Sequence, residues 1–227
     1  MHQTITLFDV DNTLLDNDRV VQDLMRHVDR ELGHERQQEY WEIFETLRNE
    51  LGYADYLGAL QRYRMQHPRD SHALIVSSFL INYPFANRLF PESLDVVDHA
   101  RRWGPAVIVS DGDVVFQPRK IERSGLYDIV EHNILIYVHK ELELDDVERR
   151  YPAEHYVMVD DKLWLLHAVK QHWGPRVTTV WPKQGHYVTD RRIETLPPPD
   201  VTLRRVGELL AWELDALRAA AQAPRRP

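Results

Sequence analysis

The sequence LFDVDNTLLDND, residues 7–18, places four aspartates directly after a short apolar segment. They are Asp9, Asp11, Asp16 and Asp18. Carboxylates this close repel one another, and they are stable together only with a cation, a proton or a reaction partner. We therefore expect a functional site at the end of the strand that this apolar segment predicts.

Composition excludes several classes of function. The 227 residues carry a formal charge of −8 and no cysteine. Without cysteine there is no disulfide, thiolate catalysis or cysteine-ligated zinc, and a reducing cytoplasm is the expected location. The negative charge argues against a nucleic-acid partner. We expect no membrane association, because no apolar segment reaches the ~20 residues of a membrane helix and Met1 precedes a strand rather than a basic leader.

Five short apolar runs, rich in β-branched residues, predict strands that are buried on both faces of a parallel sheet. The runs are Ile5–Phe8, Ala106–Val109, Ile134–Val138, Tyr156–Val159 and Val177–Trp181. Helical patterns that end at glycines, such as Gly125 and Gly174, separate the later runs. This alternation predicts an α/β fold with a doubly wound, mostly parallel sheet as its core.

Residues 17–87 differ from this pattern. They contain amphipathic helical segments that end before Gly33 and Gly52, and no convincing strand. We expect an all-helical cap domain there, inserted into a catalytic core formed by residues 1–16 and 88–227. In the core, residues 201–221 predict a last helix, and residues 223–227 a frayed tail.

Polar side chains follow four of the predicted strands. The residues are Asp9 and Asp11, Ser110 and Asp111, His139 and Lys140, and Asp160 and Asp161. Ligands of open α/β sheets bind outside the carboxyl ends of the strands, so these groups should converge. Oxygen ligands favour Mg²⁺ or Ca²⁺. A calcium loop of the EF-hand type is excluded, because Leu14 and Val20 stand where glycine and glutamate are needed. A plain acidic turn is the alternative for residues 9–13.

Four motifs together resemble the haloacid dehalogenase superfamily of hydrolases. They are DVDNT at residues 9–13, Ser110 after the second strand, Lys140 after the third, and MVDDK at residues 158–162. The helical segment is similar to the small cap that many members carry. The resemblance covers nearly the whole core and implies an enzyme with an aspartate nucleophile.

The resemblance implies a role for each motif residue. Asp9 would attack phosphorus and form an aspartyl-phosphate. Asp11 would protonate the leaving oxygen and then deprotonate water. Ser110 and Lys140 would act in catalysis and, with Asp111, bind the phosphoryl group. The sequence favours a phosphate ester over a carbon–halogen bond, because a halide leaves without a proton and dehalogenase members lack the acid at Asp11.

The same resemblance implies a Mg²⁺ site. Its expected ligands are Asp9, the backbone carbonyl of Asp11, and the carboxylates of Asp160 and Asp161. Many relatives carry a further aspartate about four residues later, where this chain has Leu165. Metal binding is therefore either weakened or supplied by the adjacent pair Asp160 and Asp161.

The resulting interpretation is a Mg²⁺-dependent phosphatase acting on a small phosphorylated metabolite. Two alternatives stay open at this point. One is a phosphomutase or phosphotransferase that acts on a sugar phosphate, and the other is a catalytically weak binding protein that retains the fold. No motif encodes the substrate or the oligomeric state.

Two lysines compete for the active site. Lys140 follows a predicted strand and is expected beside Asp9. Lys120 lies in a helical pattern between Arg119 and Arg123, and we expect it on a solvated basic face.

Further side chains are assigned from their position alone. Candidate substrate contacts in and near the cap are Arg62, Arg64, Tyr83, Phe85 and Arg88. Asp16 and Asp18 are expected at the cap hinge or as helix caps. For His139 and His186 a structural role is expected.

Overall fold

The core of the protein is a six-stranded parallel sheet. A computed structural model describes residues 2–223. The strands are β1 (His2–Phe8), β2 (Ala106–Asp111), β3 (Ile134–Tyr137), β4 (Ala153–Val159), β5 (Val177–Pro182) and β6 (Val201–Leu203). Their order is β3-β2-β1-β4-β5-β6, and all neighbours run parallel. The chain thus winds from the central β1 towards both edges, which confirms the predicted α/β fold class.

Ten α-helices accompany the sheet in the described residues. They are α1 (Asn17–Leu32), α2 (His34–Leu51), α3 (Tyr56–Gln66), α4 (Ala73–Asn82), α5 (Ser93–Arg101), α6 (Phe116–Ser124), α7 (Leu126–Ile129), α8 (Leu144–Arg150), α9 (Leu163–Trp173) and α10 (Leu214–Gln222). None of these helices has both the length and the apolar character needed to cross a bilayer.

The sheet is covered on both faces, which explains why its strands lack polar alternation. Leu7 of β1 belongs to one buried apolar cluster together with Val169 of α9. Phe8, the next residue, belongs to a second cluster together with Val97 of α5. Neighbouring residues of one strand therefore pack against helices on opposite faces.

The segment after residue 200 differs from the predicted single helix. Val201–Leu203 forms the edge strand β6, Val206–Ala211 is a 3-10 helix, and only Leu214–Gln222 is α-helical. Val201 and Leu203 are buried while the residue between them is exposed, which is the period of a strand. Pairing with β5 thus outweighs the helical pattern. Residues 224–227 of the predicted tail lie outside the described residues.

Helices α1–α4, here called the cap, leave the core after β1 and return to it before α5. Leu15 on the outgoing segment pairs with Leu89 on the returning one in an antiparallel bridge. The Asp16 N–H donates to the Arg88 carbonyl at 2.7 Å. The Asp16 carboxylate caps α1, accepting from the Arg19 N–H at 2.9 Å. The predicted domain boundaries fall at these adjacent crossings and stay a prediction.

The cap packs directly on the end of the sheet. Phe44 of α2 stacks on Tyr56 of α3 at 4.6 Å between ring centroids, and Tyr56 meets Phe116 of α6 edge-on at 5.5 Å. Gly52 ends α2 with φ +80° and lies against His139, whose Cε1 would be 2.6 Å from an added Cβ. Glycine is required there by both the conformation and the contact. The cap therefore covers the ends of β2 and β3.

A buried histidine generates a prediction about stability. His155 of β4 is 8 % exposed, and its Nε2 lies 2.8 Å from the Thr178 hydroxyl of β5. Burial, followed by Arg218 and Lys170, lowers the pKa of His155 from 6.5 to about 4. The unfolded chain therefore binds a proton at His155 more readily than the folded protein does. The folded state is fully favoured above the pKa of the unfolded chain, and it loses stability as the pH falls from there towards the folded pKa.

When the pH is lowered from about 7 to about 5, the free energy of unfolding should fall in the wild type. We expect this fall to be smaller by about 1 kcal/mol in His155→Gln, which has no imidazole to protonate. Urea unfolding at both pH values measures the difference. His34→Gln is the matched control, because its side chain is 75 % exposed. An unchanged pH dependence in His155→Gln would contradict the assignment.

Candidate active site

The chain turns sharply at the end of β1. Asn12 adopts φ 60°, a left-handed conformation that asparagine tolerates better than most residues. Its side-chain oxygen accepts from the Asp18 N–H at 3.1 Å, and its amide donates to the Asp18 carboxylate at 3.0 Å. This turn leaves Asp9 and Asp11 at the carboxyl end of the central strand while the chain proceeds into the cap.

Three buried carboxylates meet at the ends of β1 and β4. Asp9 is 2 % exposed, and Asp160 and Asp161 are fully buried. The two strands are neighbours in register, with Phe8 beside Val159, so the residues that follow them are adjacent. One oxygen from each carboxylate lies within 4.8 Å of the others. The sheet topology therefore creates a concentrated negative charge in a buried place.

The Lys140 ammonium lies against this charge. Its Nζ is 2.5 Å from Asp9 Oδ1, 2.6 Å from Asp160 Oδ2 and 3.2 Å from the Val109 carbonyl. Burial alone would lower the pKa of Lys140, but Asp160 and Asp9 outweigh burial and hold this pKa above its usual value. The lysine is thus held in its charged form between two carboxylates.

The carboxylate cluster fits a hard divalent cation. Both carboxylate oxygens of Asp161 are buried without a hydrogen-bond partner among residues 2–223. Burial, then the charges of Asp160 and Asp9, raise the pKa of Asp161. Burial likewise raises the pKa of Asp160. Unpartnered oxygens that repel one another are the donor set that Mg²⁺ or Ca²⁺ satisfies. The Asp11 carboxylate is not in this group, and a contribution from its backbone carbonyl stays a prediction.

Thr13 links the two sides of the cluster. Its hydroxyl donates to Asp9 Oδ2 at 3.2 Å and accepts from the Asp161 N–H at 3.0 Å. The Trp181 indole N–H donates to the Asp161 carbonyl at 2.8 Å. The last residue of the DVDNT motif therefore fixes the position of the Asp9 carboxylate relative to Asp161.

The end of β2 supplies the next wall of the site. The buried Ser110 hydroxyl accepts from Gln117 Nε2 at 2.9 Å. The Asp111 carboxylate accepts from the Lys140 N–H at 2.8 Å and from Lys162 Nζ at 3.3 Å. Burial raises the pKa of Asp111, but the charges of Lys140 and Lys162 outweigh it and keep this pKa low. Asp111 is therefore held as an anion between two lysines.

The structure corrects the expectation for Lys120. It is 1 % exposed rather than on a solvated face. Its Nζ lies 2.6 Å from Asp11 Oδ1, 2.8 Å from Asp11 Oδ2 and 3.0 Å from Asn17 Oδ1. Helix α6 follows the loop after β2, so this face of the helix turns towards the ligand end of the sheet. Lys140 contacts Asp9, and Lys120 contacts Asp11.

Sequence reasoning missed two further side chains at the site. Gln117 lies one turn before Lys120 on α6, and its amide reaches Ser110 and, at 3.4 Å, Asp11. The spacing of three residues places Gln117 and Lys120 on one face of a helix, and this pattern in the sequence could have identified them together. Lys162 directly follows the acidic pair, and this position in the sequence could have identified it as a residue of the site.

Leu165 belongs to the hydrophobic core. It is 2 % exposed and packs in the apolar cluster that contains Leu163 and Trp173. An acid at this place would be buried among apolar side chains. The adjacent pair Asp160 and Asp161 is therefore the acidic group that β4 offers to a metal.

A cavity of about 440 Å³ lies between the cap and the ends of the strands. Its core side is polar and includes Asp11, Asn12, Asp111, Gln117, Lys120 and Lys162. Its cap side combines apolar residues (Val21, Trp41, Phe44, Tyr53 and Ala54) with polar ones (Asn17, Asp18, Gln22 and Arg48). His186 also lines the cavity, and its Nδ1 lies 2.6 Å from Asp18 Oδ1.

The cap residues expected to contact substrate lie elsewhere. Arg62 pairs with Glu50 at 2.6 Å, and Arg64 is exposed. Arg88 pairs with Asp23 at 2.6 Å, and the Tyr83 hydroxyl donates to the same carboxylate. The fifth candidate, Phe85, is buried in the core. None of the five lines the cavity. The cavity is instead lined by one face of α2 and by the loop after it, because this helix is the part of the cap that packs against the end of the sheet.

Solved structures resemble this chain over most of its length. A haloacid dehalogenase-like hydrolase from Burkholderia xenovorans is 60% identical, with a TM-score of 0.89, and covers 94% of this chain and 100% of its own. YfnB from Bacillus subtilis, described as a magnesium-bound hydrolase, is 16% identical with a TM-score of 0.58 over 93% of this chain and 98% of its own. A 2-haloacid dehalogenase from Pseudomonas syringae is 18% identical with a TM-score of 0.54 over 93% and 99%. The last two show the fold alone.

No protein of curated function matches the chain. A family model described as haloacid dehalogenase-like hydrolase matches residues 5–172. The matched segment begins in β1 and ends in α9, so it includes the four strand ends that form the site. The chain therefore belongs to the haloacid dehalogenase-like hydrolases.

Proposed function

We propose that the chain is a Mg²⁺-dependent phosphatase that hydrolyses a small phosphorylated metabolite through an aspartyl-phosphate on Asp9. One observation carries the proposal. The Asp9 carboxylate is buried, is held by Lys140 at 2.5 Å and Thr13 at 3.2 Å, and lies beside two further buried carboxylates. A carboxylate fixed in this way is positioned as a nucleophile rather than as a surface charge.

In the first step a carboxylate oxygen of Asp9 attacks phosphorus. The new bond joins this oxygen to phosphorus, and the bond from phosphorus to the ester oxygen breaks. Asp11 must carry a proton before this step, with one of its oxygens released from Lys120; it gives that proton to the departing oxygen, and the leaving group departs as an alcohol. Lys140 offsets the negative charge of the carboxylates beside the phosphoryl group.

In the second step water attacks the phosphorus of the aspartyl-phosphate. Asp11, now deprotonated, removes a proton from that water. The bond between phosphorus and the Asp9 oxygen breaks, inorganic phosphate leaves, and the Asp9 carboxylate is restored. Ser110, held by Gln117 at 2.9 Å, is placed to donate a hydrogen bond to the phosphoryl group in both steps.

Asp9, Asp160 and Asp161 would hold Mg²⁺, and the two unpartnered oxygens of Asp161 support this assignment. When bound, Mg²⁺ would neutralise charge on these carboxylates and on the phosphoryl oxygens.

Two features favour phosphate ester hydrolysis over the alternatives. Asp11 lines the cavity, and a proton donor there serves an alcohol leaving group but not a halide. The side chains of Asp11 and Arg48 are 29 % and 39 % exposed, so water reaches the cavity. Access of water favours hydrolysis over transfer to a sugar hydroxyl. The apolar residues on the cap side suit a leaving group that carries apolar surface.

We expect Asp9→Asn to abolish Mg²⁺-dependent hydrolysis of para-nitrophenyl phosphate, because the amide lacks the nucleophilic charge. Release of nitrophenolate measures the loss. Asp98→Asn is the matched control, since that aspartate is 69 % exposed and lies on α5 away from the cavity. Undiminished turnover by Asp9→Asn would exclude the aspartyl-phosphate mechanism.

We expect Asp161→Asn to remove the rise in melting temperature that Mg²⁺ gives to the wild type, because the variant loses a metal ligand. Without metal the same variant should be at least as stable as the wild type, since one of three repelling buried carboxylates is gone. Thermal unfolding with and without Mg²⁺ tests both statements.

Leu165→Asp supplies the contrast to Asp161→Asn. It should destabilise the protein by about 3 kcal/mol or more without tightening metal binding, because it buries an unpaired charge in the apolar cluster. Tighter Mg²⁺ binding by Leu165→Asp would mean that the fourth motif is misplaced.

We expect Lys120→Met to lower the turnover number of an alkyl phosphate more than that of para-nitrophenyl phosphate. Lys120 holds both oxygens of Asp11, and an unactivated leaving group depends more on the acid. Steady-state kinetics should show a loss of about tenfold or more for the alkyl ester. Lys183→Met at an exposed lysine is the control. Equal losses on both esters would mean that Lys120 does not act through Asp11.

A further inference from the structure

The three lysines of the site differ in how many of their N–H donors are engaged. An ammonium group has three such donors. The Lys140 Nζ donates hydrogen bonds to Asp9 Oδ1 and the Val109 carbonyl, and it forms an ion pair with Asp160 Oδ2 at 2.6 Å. Lys140 therefore holds Asp9 and Asp160 together, and with 1 % of its side chain exposed it does not line the cavity.

Lys120 is engaged to the same degree. Its three acceptors are the two carboxylate oxygens of Asp11 and the side-chain oxygen of Asn17, all within 3.0 Å. Lys120 lines the cavity, but only 1 % of its side chain is exposed and its amine is engaged by these three acceptors. Lys120 thus ties Asp11 to the first residue of the cap rather than to a substrate.

Lys162 is different. Among residues 2–223 its Nζ makes one hydrogen bond, to Asp111 Oδ2 at the long distance of 3.3 Å. Its side chain is 19 % exposed and lines the cavity, and its Nζ lies 5.9 Å from the centre of the Tyr187 ring. Two N–H donors of a charged amine therefore have no acceptor in the described part of the protein.

The position of Lys162 indicates what those donors bind. It directly follows Asp160 and Asp161 in the sequence, and its side chain lines the cavity. A cavity wall that offers a cation with two spare N–H donors is suited to an anion with several oxygens.

We infer that Lys162 is a catalytic residue that binds the transferring phosphoryl group and donates its two spare N–H groups to phosphoryl oxygens. This inference rests on the proposed function, because it places a phosphoryl group in the cavity. These hydrogen bonds strengthen as charge moves onto the phosphoryl oxygens, so Lys162 stabilises the transition state as well as the bound ester.

Chemical labelling of the full-length wild-type protein tests the inference directly. The protein is treated with acetic anhydride, with and without saturating inorganic phosphate and Mg²⁺, and acetylation is quantified by peptide mass spectrometry. Because only the neutral fraction of the amine reacts, we expect Lys162 to be acetylated slowly without phosphate and this rate to fall when phosphate is bound. Lys183, which is exposed and does not line the cavity, should be acetylated equally in both samples. Lys120 and Lys140 should react little in either, since they are buried.

Two variants provide an independent measurement. Lys162→Met should raise the inhibition constant of inorganic phosphate about tenfold or more and lower kcat/KM for para-nitrophenyl phosphate by a larger factor. Lys162→Arg should recover part of both losses, and Lys183→Met should change neither. Failure of Lys162→Met to fold leaves the labelling result and Lys162→Arg to decide.

The outcomes separate this inference from the proposed function. If the wild type hydrolyses phosphate esters but Lys162 is acetylated equally with and without phosphate, the inference is overturned and the proposed function stands. An inhibition constant within about twofold of wild type in a folded Lys162→Met variant has the same consequence. If the wild type hydrolyses no phosphate ester, both fail.

Discussion

The structure depends on a balance of buried charge at the ends of two adjacent strands. Asp9, Asp160 and Asp161 lie within reach of one cation, and Lys140 contacts two of them. Burial makes uncompensated carboxylates costly, so the site requires both the lysine and a partner for the oxygens of Asp161. The sheet order provides this arrangement, since β1 lies next to β4 and Lys140, which follows β3, reaches the carboxylates at their ends.

The cap encloses a cavity close to this charged cluster. Its helices share one apolar core with the sheet, and Gly52 packs against His139 only because it has no side chain. Contacts of Lys120 with Asn17 and of His186 with Asp18 join the beginning of the cap to the core. The result is a cavity with a polar core side, where we propose that the phosphoryl group binds, and a cap side with apolar residues for the remainder of a ligand.

The sequence was sufficient for features that depend on local pattern. The five buried strands, the helical segment after β1 and the convergence of Asp9 with Asp160 and Asp161 follow from hydrophobic runs and from the residues at their ends. The edge strand β6 was missed, because its three residues precede a segment with helical character. Edge pairing is a tertiary effect that a short pattern does not encode.

The lysines show the limit of such reasoning most clearly. Lys120 reads as part of a basic helix face, yet that face turns towards Asp11 because of how α6 packs. Lys162 was overlooked beside two aspartates, and its exposure in the cavity and the few acceptors around its amine distinguish it from Lys140. Hydrogen-bond saturation is a property of the folded site, so sequence alone could not rank the three lysines.

The aspartyl-phosphate on Asp9 is the central claim, and rapid acid quenching of Asp11→Asn with para-nitrophenyl phosphate tests it most directly. The good leaving group allows the first step without an acid, whereas the second step lacks its base. We predict that peptide mass spectrometry will find the phosphoryl group on Asp9, accumulated above its level in the wild type. Continued release of nitrophenolate with no phosphoryl group on Asp9, or with the group on another residue, would contradict the account.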